Sequence, residues 1–216
     1  LEQDVLHETV GSQDQVQAAF GGFNVVTFHS HGEITVQPVT VSRGRLEELN
    51  AHLMLFYTGI KRTASNIADT FVNAIDDRKR QLRIMKDLVE ESVAILNSDR
   101  DLTMFGELLH EAWQTKQSLS SCVTNPVVDG LYARAIRAGA IGGKLTGAGG
   151  GGFLLLFAPP DRQTAIREEL SELIRVPFKF EFSGSQIIFC DREEEYVAEE
   201  RHRAAQPIRA FEELKL

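Results

Sequence analysis

The fold of this chain is decided by one stretch, Gly142-Gly-Lys-Leu-Thr-Gly-Ala-Gly-Gly-Gly-Gly152. It holds seven of the 17 glycines of the 216-residue sequence within eleven positions. So many glycines cost conformational entropy on folding, and they are expected where the main chain must come close to another group. Close approach of backbone N–H groups to an anion is the usual reason. The stretch therefore predicts a phosphate-binding loop.

Two familiar phosphate-binding loops do not fit this stretch. Gly147, Gly149 and Gly152 have the G-x-G-x-x-G spacing, but a Rossmann loop opens a helix, whereas an apolar, strand-like run follows here. Lys144 is followed by leucine and not by Ser or Thr, so the stretch is not a Walker A loop. The structural alternative is a tight turn between a helix and a strand, but one or two glycines suffice for such a turn.

Hydrophobic periodicity upstream of the loop predicts helices. Apolar residues at helical spacing predict one long helix over 67–96. Ser98 and Asp101 resemble a capping box that opens a second helix. A third helix is delimited by Asn125 as N-cap, a proline at its first position and Gly139 just past its end.

The remaining segments complete an α+β pattern, in which helices cover one face of an antiparallel sheet. Residues 43–50 are polar and are predicted to link two domains. A helix capped by Asp161 is predicted after the run 153–157, and a peripheral helix after 191. The predicted strands are 23–28, 34–39, 52–57, 153–157 and the alternating stretch 176–182.

Composition excludes several classes of function. A net charge of -8 is the wrong sign for a nucleic-acid-binding surface. No apolar run approaches membrane length, and no secretory signal is recognisable. Cys122 and Cys190 lack CxxC spacing, so neither a zinc site nor a disulfide framework is predicted, and the cytoplasm is the expected location.

Lys144 to Gly152 resembles the third conserved motif of the GHMP kinases, in which this loop lies beside the phosphates of ATP. The resemblance implies a GHMP kinase fold. Residues 1–45 would end an N-terminal S5-like domain, and 46–216 would form a ferredoxin-like C-terminal domain. It also implies nucleotide-binding residues at Thr146, Gly147, Ala148, Gly149, Gly150 and Gly151.

The segment Gly11-Ser-Gln-Asp-Gln15 holds a candidate catalytic acid. Taken alone, an aspartate at a helix start is most often a cap. The segment is similar to the Gly-x-x-Asp-Gln of galactokinase-like GHMP kinases, and that resemblance implies that Asp14 is the catalytic base. A carboxylate with a pKa near ~3.9 is ionised at neutral pH and can accept a hydroxyl proton.

Residues 57–65 and 113–121 resemble the heptose-phosphate kinases of this superfamily. Those enzymes transfer phosphate from ATP to the anomeric hydroxyl of D-glycero-D-manno-heptose 7-phosphate. The resemblance implies cations for the substrate's own phosphate, and Arg62 and Lys116 are the candidates. The alternatives are that Arg62 is solvated at a helix start and that Lys116 snorkels from an apolar stripe into water. Kinases of fucose, another hexose or mevalonate, and a non-catalytic sugar-binding homologue, also stay open.

The family's upstream ATP loop, Pro-x-x-x-Gly-Leu-Gly-Ser-Ser, does not occur in these 216 residues. The resemblance implies ATP and Mg²⁺, with the metal ligands expected in that upstream region and no metal ligand within this chain. The first residues read like the middle of a helix, which suggests a fragment. We therefore expect these residues alone to bind ATP–Mg²⁺ weakly, to turn over no sugar phosphate and to self-associate through an open strand edge.

Overall fold

The computed structural model describes residues 11–60, 78–147, 149–189 and 196–206. Within them, helices and strands alternate in an α+β arrangement with a two-stranded and a four-stranded sheet. In chain order the elements are α1 (Gln13–Phe20), β1 (Asn24–Phe28), β2 (Ile34–Pro38), α2 (Arg43–His52), β3 (Leu53–Tyr57), α3 (Lys79–Leu96), α4 (Thr103–Gln117), α5 (Pro126–Arg137), β4 (Gly142–Leu145), β5 (Phe153–Phe157), α6 (Gln163–Glu169), β6 (Ile174–Arg175) and α7 (Val197–Ala204).

The first sheet is the predicted hairpin. Strands β1 and β2 pair antiparallel with Val26 opposite Val36. Gly21 and Gly22, with φ of 64° and 71°, turn the chain from α1 into β1. Positive φ is a conformation that glycine adopts without a steric cost.

The second sheet is antiparallel with the order β4-β5-β3-β6. Strand β5 lies between β4 and β3, and the side chains of Leu154, Leu156 and Phe157 are fully buried. Burial of most of its side chains explains the apolar run of residues 153–157, although Phe153 at the start of the strand is exposed. The predicted buried strands 52–57 and 153–157 are confirmed.

The main core lies between this sheet and the helices α4 and α5. Trp113 from α4 and Val128 from α5 pack in one cluster with Phe56, Leu145 and Leu154 of the sheet. Helix α4 approaches strand β4 so closely that a Cβ atom on Gly142 would overlap the main chain of Gly106 and His110. The two glycines therefore set the distance between the helix and the strand.

The segment 43–50, which is predicted to link two domains, is helical, and its linking role stays a prediction. These residues form α2, in which Ser42 is the N-cap and its hydroxyl accepts a hydrogen bond from Arg45 N at 3.3 Å. Within α2 only Leu49 is buried, so the helix has no apolar stripe that a periodicity analysis could detect.

Two predicted helix caps are also wrong. Helix α4 begins at Thr103, because Asp101 accepts a hydrogen bond from the N–H of Thr103 at 2.8 Å and so forms a local turn before the helix. Arg162, and not Asp161, occupies the N-cap of α6. The predicted N-cap at Asn125 is confirmed, since its side chain accepts from Val127 N and Val128 N.

The predicted strand at 176–182 is wrong as well. Only Ile174–Arg175 pairs with β3, and the ladder ends after Val176 N donates to Leu55 O at 2.8 Å. The alternation of phenylalanines has another origin, because Phe180 and Phe182 pack against Phe23 with ring centroids 4.6 and 6.2 Å apart.

Parts of other predictions lie outside the described residues. The predicted long helix is described only as α3, and its start at 67–77 is outside. A helix in the charged C-terminal region is confirmed as α7. In the described part of the chain, no helix combines the length and the apolar character that a membrane span requires.

Candidate active site

The glycine stretch forms a loop between two paired strands, and not the predicted link from a helix to a strand. Gly142–Leu145 is itself strand β4, which pairs with β5, and residues 146–152 connect the two. Gly147, Gly149, Gly150 and Gly152 have φ of 72°, 118°, 73° and 93°. Because side chains other than glycine rarely adopt these values, the loop conformation requires glycine at each position.

Hydrogen bonds to two neighbouring segments hold this loop in place. Gly150 N donates to Val123 O at 2.7 Å, and Gly152 N donates to Ile60 O at 3.0 Å. The side chain of Asn125 donates to Gly150 O at 2.9 Å, so the residue that caps α5 also fixes the loop. These hydrogen bonds attach the second half of the loop to the segments around Ile60, Val123 and Asn125.

The N–H groups of Gly147, Gly149 and Gly151 make no hydrogen bond to the described residues. Thr146 differs, since its N–H and its hydroxyl both donate to Phe153 O, at 2.8 and 3.2 Å. Of the predicted nucleotide-binding residues, three thus offer unused backbone donors, while Thr146 closes the hairpin. Ala148 lies outside the described residues.

Lys116 lies in the last turn of α4, and its Nζ donates to the carbonyl oxygen of Gly147. Burial disfavours its ammonium group, and the charge of Lys144 adds repulsion, so the pKa of Lys116 is lowered to about 8. The ammonium therefore lies at the glycine loop. The snorkelling alternative would instead have it extend freely into water. The sequence prediction assigned Lys116 to the substrate's own phosphate, and the structure brings it to the predicted nucleotide loop.

Lys144 was not among the predicted site residues. It lies on β4, and burial lowers the pKa of its ammonium group. Across the described ranges its side-chain ammonium forms neither an ion pair nor a hydrogen bond. Its place at the start of the glycine motif was visible in the sequence, but its proximity to Lys116 depends on how α4 packs on β4.

A polar network centred on His110, six residues before Lys116, attaches α4 to α5 and β4. The Tyr132 hydroxyl lies 2.7 Å from Nδ1 of His110, and Gln114 Nε2 lies 2.9 Å from Nε2 of His110. The backbone N–H of Gly143 also donates to the Tyr132 oxygen, and burial raises the pKa of the phenol. Satisfied polar networks of this kind fix the register of the elements that they join.

Asp14 is the second residue of α1, and Ser12 is the N-cap, so Asp14 does not cap the helix. It is exposed and lines an open cavity of about 410 Å³ together with Gln17, Gly22 and Glu181. The contacts of Asp14 thus lie at the α1–β1 turn, whereas those of Lys116 lie at the glycine loop. Arg62 falls outside the described residues, and its role stays a prediction.

No group of three or more His, Cys, Asp or Glu side chains that could hold a metal ion occurs within residues 11–60, 78–147, 149–189 and 196–206. The expected position of Mg²⁺ ligands outside this chain is untested.

Comparison with protein families places this geometry in context. Residues 84–175 match the family described as GHMP kinases C terminal. The match extends from α3 to β6 and includes the glycine loop and both lysines.

Individual relatives agree with this match. The chain is 31% identical to D-glycero-alpha-D-manno-heptose 7-phosphate kinase of Campylobacter jejuni over 176 residues, which are 78% of this chain and 51% of that protein. The crystal structure of a D-glycero-D-manno-heptose 1-phosphate kinase from Bacteriodes thetaiotaomicron has a TM-score of 0.61 at 24% identity, covering 87% of this chain and 53% of that one. L. major mevalonate kinase also has a TM-score of 0.61, at 18% identity, over 82% of this chain and 54% of its own.

These comparisons show the GHMP kinase fold. The chain spans about half the length of the curated relatives it matches.

Proposed function

This chain carries the C-terminal domain of the GHMP kinases, and from that premise we propose that it is part of an ATP-dependent sugar-phosphate kinase. The proposed acceptor is the anomeric hydroxyl of D-glycero-D-manno-heptose 7-phosphate. One observation carries the proposal: Lys116 contacts the carbonyl of Gly147 in a glycine loop whose N–H groups at Gly147, Gly149 and Gly151 make no hydrogen bond to the described residues. The similarity to the Campylobacter jejuni enzyme supports the choice of acceptor.

The proposed role of the loop is to bind the phosphates of ATP. Backbone N–H groups at fixed positions stabilise phosphate oxygens without reorganisation during the reaction. Phosphoryl transfer depends chiefly on positioning and on neutralising charge, and ATP enters as its Mg²⁺ complex. The lysines and the free N–H groups are the contribution of this chain to that neutralisation.

The proposed role of Asp14 is to accept the proton of the acceptor hydroxyl. The hydroxyl oxygen then forms a bond to the γ-phosphorus, while the bond from that phosphorus to the bridging oxygen of ADP breaks. An exposed carboxylate at the edge of an open cavity is accessible to a sugar. Asp14 lies in the first turn of α1, one position after its first residue.

The proposed domain division follows the same assignment. Residues 1–45 would complete an N-terminal domain and 46–216 would form the C-terminal domain, which contains the family match at 84–175. We further propose a cytoplasmic enzyme whose partners are ATP and a sugar phosphate, and which either acts alone or assembles into an oligomer.

The direct test is a kinase assay on the complete gene product with a panel of acceptors. The panel contains D-glycero-D-manno-heptose 7-phosphate, mannose 6-phosphate, fucose, galactose and mevalonate. We expect turnover to be fastest with the heptose phosphate, and ³¹P NMR should detect a new phosphate on the anomeric carbon. Faster turnover of fucose, galactose or mevalonate would refute the acceptor, and binding of a sugar without any turnover would favour a non-catalytic homologue.

A further inference from the structure

Lys116 and Lys144 lie on α4 and β4, the two elements that pack closely at Gly106 and Gly142. The Cβ direction of Gly142 points at Gly106 and His110 of α4. Because side chains alternate along a strand, Lys144 projects from the same face of β4 as Gly142. Lys116 lies further along α4, and the charge of Lys144 acts on it directly.

The two half-buried ammonium groups lose hydration, and the charge of Lys144 repels that of Lys116. A buried charge is usually compensated by a carboxylate, since an uncompensated one is costly. Among the residues that the structure describes, neither lysine forms an ion pair, and Lys116 contacts only a carbonyl oxygen. The pair is therefore arranged for an anion that comes from outside the chain.

We propose that Lys116 and Lys144 form a two-lysine site for the terminal phosphate of a nucleoside triphosphate. In this site Lys144 donates directly to a phosphate oxygen. Lys116 does the same while it holds the Gly147 carbonyl, so that the ammonium groups and the free N–H groups of the loop converge on one anion. The inference rests on the proposed kinase function and adds Lys144 as a ligand-binding residue.

The terminal phosphate of a nucleotide fits better than the phosphate of the acceptor. Lys116 contacts Gly147, whose own N–H is one of the unused donors of the loop. Lys116 is thus attached to the glycine loop itself, and Lys144 lies on the strand that leads directly into it. The acceptor's phosphate would need a second group of cations away from this loop.

The experiment measures binding of ATP–Mg²⁺, AMP, inorganic tripolyphosphate and mannose 6-phosphate to the complete gene product by calorimetry. The variants are Lys144→Met, Lys144→Gln and Lys144→Arg, with Lys179→Met as the matched control because Lys179 is exposed. Removal of a half-buried charge does not hinder folding, and circular dichroism checks that each variant is folded.

We expect Lys144→Met and Lys144→Gln to weaken ATP and tripolyphosphate by about 10-fold or more, as for the loss of a hydrogen bond to a charged group. AMP and mannose 6-phosphate should bind as before, Lys144→Arg should retain most of the affinity, and Lys179→Met should have no effect. Unchanged tripolyphosphate affinity in folded Lys144→Met protein would overturn the proposal. So would a loss confined to mannose 6-phosphate, or a wild-type protein that binds no tripolyphosphate.

The same measurements separate this inference from the proposed function. Wild-type protein that binds tripolyphosphate through Lys144 but phosphorylates no sugar would refute the kinase and support the two-lysine site. Wild-type protein that phosphorylates the heptose while Lys144→Met keeps full affinity for ATP would support the kinase and refute the site.

Discussion

The glycine loop and the Asp14 region differ in how the fold supports them. The loop donates hydrogen bonds to the carbonyls of Val123 and Ile60 and accepts one from the side chain of Asn125, and Gly149 and Gly150 within it are buried. Asp14 lies on a helix that has no buried residue and borders an open cavity. The comparison teaches that changes in the loop should affect folding and binding together, whereas a change at Asp14 should affect only the chemical step.

The largest expected effect is that of Asp14→Asn on turnover. The amide is nearly isosteric but cannot accept the acceptor's proton, so kcat of the complete gene product should fall by roughly 100-fold or more. ATP affinity and thermal stability should be unchanged, because the side chain is exposed. Steady-state kinetics and calorimetry measure both. A variant with near-normal kcat would show that Asp14 is not the base.

Gly149→Val should affect binding and stability together. Its φ of 118° disfavours any side chain, and the new Cβ would meet Val123 O at 2.6 Å. We expect ATP affinity to fall by about 10-fold or more, with a clear loss of thermal stability. The control is Gly32→Val, at a φ of 90° in the β1–β2 turn with open space around it. If the Gly149 variant binds ATP normally, the loop is only a turn.

Lys116→Met should raise the thermal stability of the protein and lower its affinity for ATP. An unfolded lysine has a pKa of about 10.4, and that of folded Lys116 is about 8. Between these pH values the unfolded chain binds more protons than the folded one, so the stability of the protein rises with pH. Below pH 8 Lys116 is charged in both states and lowers the free energy of unfolding. This loss of stability disappears as the pH rises to about 10.4. The variant should therefore melt roughly 2–5 °C higher at neutral pH, with a gain that shrinks over this range.

The binding of ATP should change in the other direction, since the variant lacks one ammonium group at the loop. Calorimetry at pH 8 in buffers of different ionisation enthalpy should also detect proton uptake by the wild type that the variant lacks. Raised stability with unchanged affinity for ATP would mean that Lys116 serves only to hold the loop.

The smallest effect is expected for Tyr132→Phe. The variant loses the hydrogen bonds to His110 and Gly143 but keeps the ring in the core. A loss of about 1–2 kcal/mol in the free energy of unfolding should follow, measured by urea titration. ATP affinity should fall by less than in Lys144→Met protein. An equal fall would mean that the network, and not the lysine charge, determines binding.

Sequence patterns predicted the parts of this fold that depend on local chemistry. The β1–β2 hairpin, the strand at 153–157 and the cap at Asn125 follow from alternation, apolar content and side-chain acceptors. Helix α2 was missed because almost all of it is polar, and the alternation of 176–182 came from ring packing and not from a strand ladder.

The candidate site was predictable in part. The glycine motif indicated the loop, and the loop lies within the family match. The roles of Asp14, Arg62, Lys116 and the predicted nucleotide-binding residues 146–151 stay predictions. Lys144 was missed, because its partner Lys116 is 28 residues away along the chain and only the packing of α4 on β4 brings them together. The sequence also could not show which N–H groups of the loop make no hydrogen bond to the described residues. That depends on which carbonyl groups of the neighbouring segments lie within reach.

The contact between Gly106 and Gly142 lies near the start of helix α4, and Lys116 lies near its end. Ten residues separate Gly106 from Lys116, which is roughly 15 Å along the axis of a helix. A tilt of about 5° at that contact would displace the far end of the helix by roughly 1 Å. Misplacement of a reacting group by about 1 Å can cost ~100-fold in rate. The close approach of these two glycines therefore limits how accurately the ammonium of Lys116 is positioned.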